Sequence, residues 1–240
     1  MRKTLILISS FIFLVACSKV VNDTNTSSNT GGTGSNSTIV PNIKFFNVMD
    51  YGAVSVKLNN VTIGNTSLYN PTTYRVGVIG SNNISITFNN NQVLNQTVDL
   101  LAEKYYSCFF YRVGFDWKMS LVSDDITNIA TGKIKVRVLD FRTQGYFDYV
   151  KVRLISPGGD QFDYANRNFL DHHTYDSYAR FTTLNTGKYN VTVFNDTANL
   201  ASKRDYTMAS GSAYSVIMTT PADNTRSQAL FNITPDIQKH

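Results

Sequence analysis

The chain has 240 residues, with 22 Lys and Arg against 17 Asp and Glu, for a formal charge of +5. Arg2 and Lys3 fall in the first sixteen positions, so the remainder carries +3, and without a Lys/Arg run it has no electrostatic footprint for nucleic acid. Fifteen Phe and fourteen Tyr beside two Cys describe a strand-rich chain and exclude a Cys-rich metal site.

Residues 1–16 have the three-part layout of a secretory signal: Arg2 and Lys3, an apolar run over 5–16, then Leu14-Val15-Ala16 before Cys17. The run is shorter than the roughly 20 residues that span a bilayer as a helix. Leu-Val-Ala-Cys resembles the bacterial lipobox, in which the Cys is acylated and becomes the first residue of the mature protein. The expectation is a lipoprotein signal peptide over 1–16, lipid on Cys17 and a disordered linker over 17–41. The linker is rich in Asn, Thr, Ser and Gly and has almost nothing apolar to bury. About 24 residues of this kind reach roughly 27 Å.

From residue 42 the chain is written twice. Asn42-Ile43-Lys44-Phe45-Phe46-Asn47-Val48 is answered by Lys133-Ile134-Lys135-Val136-Arg137-Val138-Leu139, and Val54-Ser55-Val56-Lys57-Leu58 by Val150-Lys151-Val152-Arg153-Leu154. Asn83-Ile84-Ser85-Ile86-Thr87-Phe88 is answered by Tyr189-Asn190-Val191-Thr192-Val193-Phe194, and Tyr106-Ser107-Cys108-Phe109 by Tyr214-Ser215-Val216-Ile217. Each segment alternates apolar and polar residues, as a strand with one buried face does. Asn59-Asn60, Asn89-Asn90-Asn91, Pro157-Gly158-Gly159-Asp160 and Asn185-Thr186-Gly187 supply turns between them. The pattern predicts an all-β chain of two tandem immunoglobulin-like β-sandwich domains, residues 42–126 and 132–236, behind the signal and linker.

Ile43-Lys44-Phe45-Phe46-Asn47, Val54-Ser55-Val56-Lys57-Leu58, Tyr105-Tyr106-Ser107-Cys108, and the join from Leu121-Val122-Ser123-Asp124-Asp125 to Lys133-Ile134-Lys135-Val136-Arg137-Val138 resemble the bacterial domain of unknown function 4397. The likeness covers residues from about 42 to 220. It implies tandem copies behind a lipoprotein signal, of the Bacteroidetes type, with an immunoglobulin-like sandwich at the cell envelope. It implies no activity and no catalytic residues.

No Gly-x-Ser-x-Gly elbow, phosphate-cradling loop or calcium loop is present. Cys108 reads as a small buried hydrophobe. Asp171-His172-His173-Thr174-Tyr175-Asp176, read as a loop of the second copy, is the densest polar cluster and carries two imidazoles and two carboxylates, but on a strand neighbouring side chains point to opposite faces, so without a bend His172 and His173 would not converge on a metal. Asp196-Thr197-Ala198 resembles a Bacteroidetes O-glycosylation signal. Residues 160–179 read as an insertion without counterpart in the first copy. They carry Phe162, Tyr164, Arg167, Phe169, His172, His173, Tyr175 and Tyr178, a mixture suited to recognition.

The sequence therefore predicts a non-catalytic protein without metal or cofactor, held at the envelope, in the outer membrane, by lipid on Cys17. It would bind a glycan, a peptide or another envelope protein through the 160–179 residues. A structural spacer is the alternative, and a metal-dependent hydrolase the third.

Overall fold

A computed structural model describes residues 40–49, 52–68, 70–142, 149–195, 198–219 and 230–237. The signal segment, Cys17, most of the linker, and Asp196 and Thr197 of the glycosylation-like triplet lie outside the described residues.

Eight strands form the first half: β1 (Asn42–Asn47), β2 (Val54–Leu58), β3 (Val61–Thr66), β4 (Arg75–Val76), β5 (Gly80–Phe88), β6 (Asn91–Leu100), β7 (Tyr105–Val113) and β8 (Asp116–Asp124). Eight more form the second: β9 (Lys133–Asp140), β10 (Val150–Ile155), β11 (Gln161–Arg167), β12 (Thr182–Asn185), β13 (Gly187–Asn195), β14 (Ala198–Met208), β15 (Ala213–Thr219) and β16 (Leu230–Ile237). The sheets run β4-β1-β7-β8 and β3-β2-β5-β6, then β12-β9-β15-β16 and β11-β10-β13-β14. The second half thus repeats the first strand for strand, and β1 lies parallel to β7 as β9 does to β15.

The all-β sandwich class is as the sequence predicts. Its strand order is its own: among the described residues each half has eight strands in two sheets of four, not the ABED and CFG sheets of a seven-stranded immunoglobulin domain. The turns explain part of the pairing. Asn59 and Asn60, between β2 and β3, and Asn89 and Asn90, between β5 and β6, all have φ between 49° and 65°. Two residues at positive φ make the hairpin loop whose twist matches the flanking strands, and Asn tolerates that conformation.

Alternation then builds the cores. Ile43 and Phe45, Val54 and Val56, Ile84 and Ile86, and Cys108 and Phe110 meet between the sheets of the first half. Ile134, Val136, Val138, Val152, Val191, Val193, Tyr214, Val216 and Met218 do so in the second. Cys108 is fully buried, and burial pushes its thiol pKa well up, as for an inert core residue.

The expectation for residues 160–179 needs correction. Gln161–Arg167 is β11, paired with β10 as β3 is with β2, so this stretch does have a counterpart. The true excess lies in the connection that follows: residues 168–181 join β11 to β12, where residues 67–74 join β3 to β4.

The outward faces of β1, β7, β9 and β15 are not left to water. Phe46, Val48, Phe109, Tyr111 and Val122 of the first half form a buried cluster with Leu139, Phe141 and Ile217 of the second. Phe46 stacks on Phe109 at 4.7 Å, and Phe109 meets Phe141 at 5.0 Å. Beside this cluster Arg137 is fully buried, its Nη1 2.8 Å from Oδ1 of Asp124. Arg137 Nε donates to Ser215 Oγ at 2.7 Å and Nη2 to Ser107 Oγ at 3.0 Å. Its guanidinium lies 4.4 Å from the Phe181 ring centre. Ser107 Oγ and Tyr74 OH donate to Asp124 Oδ2 at 2.8 and 2.7 Å. The two ions are thus paired at 2.8 Å and further hydrogen-bonded at Nε, Nη2 and Oδ2, the kind of compensation that an interior ion pair requires.

Breaking a buried pair from one side costs roughly 3–5 kcal/mol, whereas apolar replacement of both partners is often neutral. Arg137→Ala is therefore expected to lower the urea-unfolding free energy by about that amount, and Arg137→Met with Asp124→Leu by less. Equal losses in the two variants would contradict this description of the interface.

Candidate functional site

The connection after β11 is pinned from within. Asp171 takes a two-bond clamp from Arg167, with Nε to Oδ2 and Nη2 to Oδ1 both at 2.7 Å. Its Oδ2 also accepts the backbone N–H of Asn168 at 3.0 Å. Arg167 donates to the Tyr178 carbonyl at 3.2 Å and lies 4.7 Å from the Tyr178 ring centre. Leu170 takes a left-handed conformation (φ 53°), and its N–H donates to the Asp140 carbonyl at 2.9 Å. A single helical turn, Asp171–Thr174, follows, then a 3-10 turn, Asp176–Ala179.

That helical turn is the bend without which the histidines would not converge. Neighbours on a helix are separated by about 100°, not the 180° of a strand, so two long rings can meet at one point. His172 Nε2 is 3.2 Å and His173 Nε2 2.7 Å from Ser120 Oγ on β8. The two rings sit edge to face at 4.6 Å. His172 also meets Phe141 at 5.1 Å, and His173 meets Tyr111 at 6.2 Å.

Burial pushes the His172 pKa down to about 3, aided by His173 and by the charges of Arg167 and Arg137. Burial also lowers that of His173. Both rings are neutral near neutral pH, so one accepts the Ser120 proton while the other donates an N–H. His172 Nδ1 has no hydrogen-bond partner and lies 3.9 Å from Asp171 Oδ1. A Ser-His-Asp order is thus traced in space, but an imidazole held near pKa 3 is a poor base for taking a serine proton at neutral pH. Among the described residues no three His, Cys, Asp or Glu side chains converge to hold a metal ion.

A cleft of about 780 Å³ opens here. One wall is residues 119–123 in succession, so the cleft runs along the edge of β8. His172, His173, Asp176, Arg180 and Phe181 stand opposite. β8 is the last strand of its sheet and pairs only with β7 among the described strands.

Of the eight sequence candidates, two reach this cleft: His172, itself almost fully buried, and His173. Phe162 and Tyr164 pack on the second core, and Tyr164 donates to the Val136 carbonyl at 3.1 Å. Burial pushes the Tyr164 pKa up to about 12. Arg167 is buried in its clamp, and Phe169 packs on the cluster between the halves. Tyr175 is exposed and Tyr178 half-buried, edge to face with each other outside the cleft lining. Sequence reasoning missed Ser120 and Arg180; nothing in the alternation of β8 sets Ser120 apart from Ser123.

No family model matches this chain, so the resemblance to the domain of unknown function 4397 is carried by the residue motifs alone. No curated protein matches it. A crystal structure from Bacteroides ovatus, of a protein provisionally named a cell adhesion protein, aligns over 84% of this chain and 99% of its own at 10% identity, with a TM-score of 0.25. A TM-score of 0.25 is too low to establish a shared fold.

The His172 shift has a fixed sign. The unfolded ring binds a proton near the ordinary 6.5, and the folded ring only near 3. Stability from this group is complete above pH 6.5 and is lost as pH falls from 6.5 toward 3, at up to about 1.4 kcal/mol per unit. His173 adds in the same direction. Urea unfolding at pH 7.5 and pH 5 is expected to show a steeper loss in the parent than in His172→Gln, and parallel losses would remove His172 from this role.

Proposed function

We propose that this chain is a non-catalytic, lipid-anchored binding protein of the cell envelope, with its ligand seat in the cleft along β8. The observation that carries the reading is the cleft itself, a concave site at the junction of the two halves with an edge strand on one side and mixed polar and aromatic groups on the other. Successive residues of an edge strand suit an extended ligand, such as a peptide segment or a glycan chain, which can meet main-chain donors and acceptors along its length. Asp176 and Arg180 offer opposite charges, and Phe181 an aromatic ring, for orientation. Phe169, Arg167 and Asp171 take the supporting role of fixing the far wall.

The buried interface also suits a rigid spacer, the second reading. A spacer would have no use for a cleft at that junction. The lipid on Cys17 belongs to the same proposal and supplies the location; the lipobox-like Leu14-Val15-Ala16-Cys17 supports it.

Two experiments test the reading. Ser123 is exposed and lines the cleft, so Ser123→Trp fills it without disturbing a core. A peptide or glycan ligand identified by array with the parent protein is expected to lose at least tenfold in affinity to Ser123→Trp, at unchanged melting temperature. Undiminished binding places the ligand elsewhere. For the anchor, Cys17→Ser in the full chain is expected to abolish both signal cleavage and acylation, and a variant still carrying lipid by mass spectrometry would end that part of the proposal.

A further inference from the structure

The first half carries an apolar end that its fold does not explain. Val76, Val78, Ile79 and Leu101 are 64%, 58%, 55% and 63% exposed, four of the nine exposed large hydrophobics among the described residues. They belong to one place. Gly77 N–H donates to the Pro41 carbonyl at 2.9 Å, and a Cβ on Gly77 would stand 2.7 Å from Leu100 Cδ1. Gly80 pairs with Leu100, and Asn42 N–H donates to the Lys104 carbonyl at 2.9 Å. The 76–80 loop, the 100–104 turn and the start of β1 therefore form a single end of the sandwich.

The loop is held, not frayed. Asn82 is fully buried. Its Oδ1 accepts the Val78 N–H at 2.9 Å, and its Nδ2 donates to the Val78 and Gly80 carbonyls at 2.6 and 2.8 Å. Asn59 Nδ2 donates to the same Oδ1 at 2.9 Å. These bonds fix a conformation in which Val78 and Ile79 face water.

The second half shows that this is no requirement of the fold. Gly187 pairs with Met208 as Gly80 does with Leu100. Aligned on those pairs, Asn185, Thr186 and Ala209 stand where the first half has Val78, Ile79 and Leu101. Only the copy joined directly to the linker is apolar there.

We propose that this end of the first sandwich is a membrane-contact surface, seated by Val76, Val78, Ile79 and Leu101 on the lipid to which the chain is tethered. The occupant follows from position: residues 17–41 enter the fold at Pro41, beside the patch, and carry the proposed lipid at their far end. A short tether of that length would hold the end at an effective concentration on the order of millimolar, so a small apolar contact suffices. Arg75 and Lys104 are balanced by Asp99 and Glu103, so the contact is apolar and does not depend on anionic lipid.

The test replaces biological acylation with chemistry, and so is independent of the Cys17 proposal. Residues 17–240 with Trp117→Phe are coupled through Cys17 to vesicles of phosphatidylcholine doped with maleimide phospholipid; Cys108 is buried and does not compete. A reporter is added either by Ile79→Trp or, at the equivalent place in the second half, by Thr186→Trp. With brominated phosphatidylcholine, the Ile79→Trp protein is expected to lose at least half of its fluorescence and the Thr186→Trp protein less than a tenth. Absence of quenching at both positions, or equal quenching, would overturn the proposal.

Discussion

Arg137 and Asp124 carry the placement of the two halves. Each belongs to a different half, and each side chain is wholly withdrawn from water. Removing such ions from solvent costs several kcal/mol apiece, which only close pairing and full hydrogen bonding offset. Ser107, Ser215 and Tyr74 add hydrogen bonds at Nε and Nη2 of Arg137 and at Oδ2 of Asp124, and Phe181 covers the guanidinium. Sliding or opening the halves would strand both charges. The relative register of the halves is therefore set more sharply than the apolar cluster of Phe46, Phe109, Phe141 and Ile217 could set it, since apolar contact is non-directional.

The cleft inherits this geometry. Its β8 wall belongs to the first half and its other wall to the second, so it exists only while the halves stay together. The second wall is fixed by another buried pair, Arg167 with Asp171, and by the meeting of both histidines at Ser120. Two copies of one fold differ where they have work beyond folding. The second copy has the longer connection that walls the cleft, and the first has the apolar end beside the linker.

Much of the fold was legible in the sequence, because period-two alternation and Asn-rich turns are local signals. Ile134, Val136 and Val138 alternate with Lys133, Lys135 and Arg137, and the apolar three do fill the second core. The same alternation reads Arg137 as a solvent-facing residue, yet it is fully buried. A strand's outer face is buried or exposed according to a partner up to a hundred residues distant, which no local pattern encodes. β11 was read as a recognition loop although Gln161-Phe162-Asp163-Tyr164 alternates, because the alternation lapses at Ala165-Asn166-Arg167 and so covers only four residues. The convergence of His172 and His173 depended on one helical turn of four residues, below the length at which a 3.6-residue period can be seen.

A cleft at the seam requires the two halves to behave as one cooperative structure. Native-state hydrogen exchange measures this directly, since amides opened only by global unfolding report the stability of the unit that contains them. The slowest amides of β1 and β7 and those of β9 and β15 are predicted to share one opening free energy and to fall together in Arg137→Ala. Two separate values, with only the second half responding to that substitution, would contradict it.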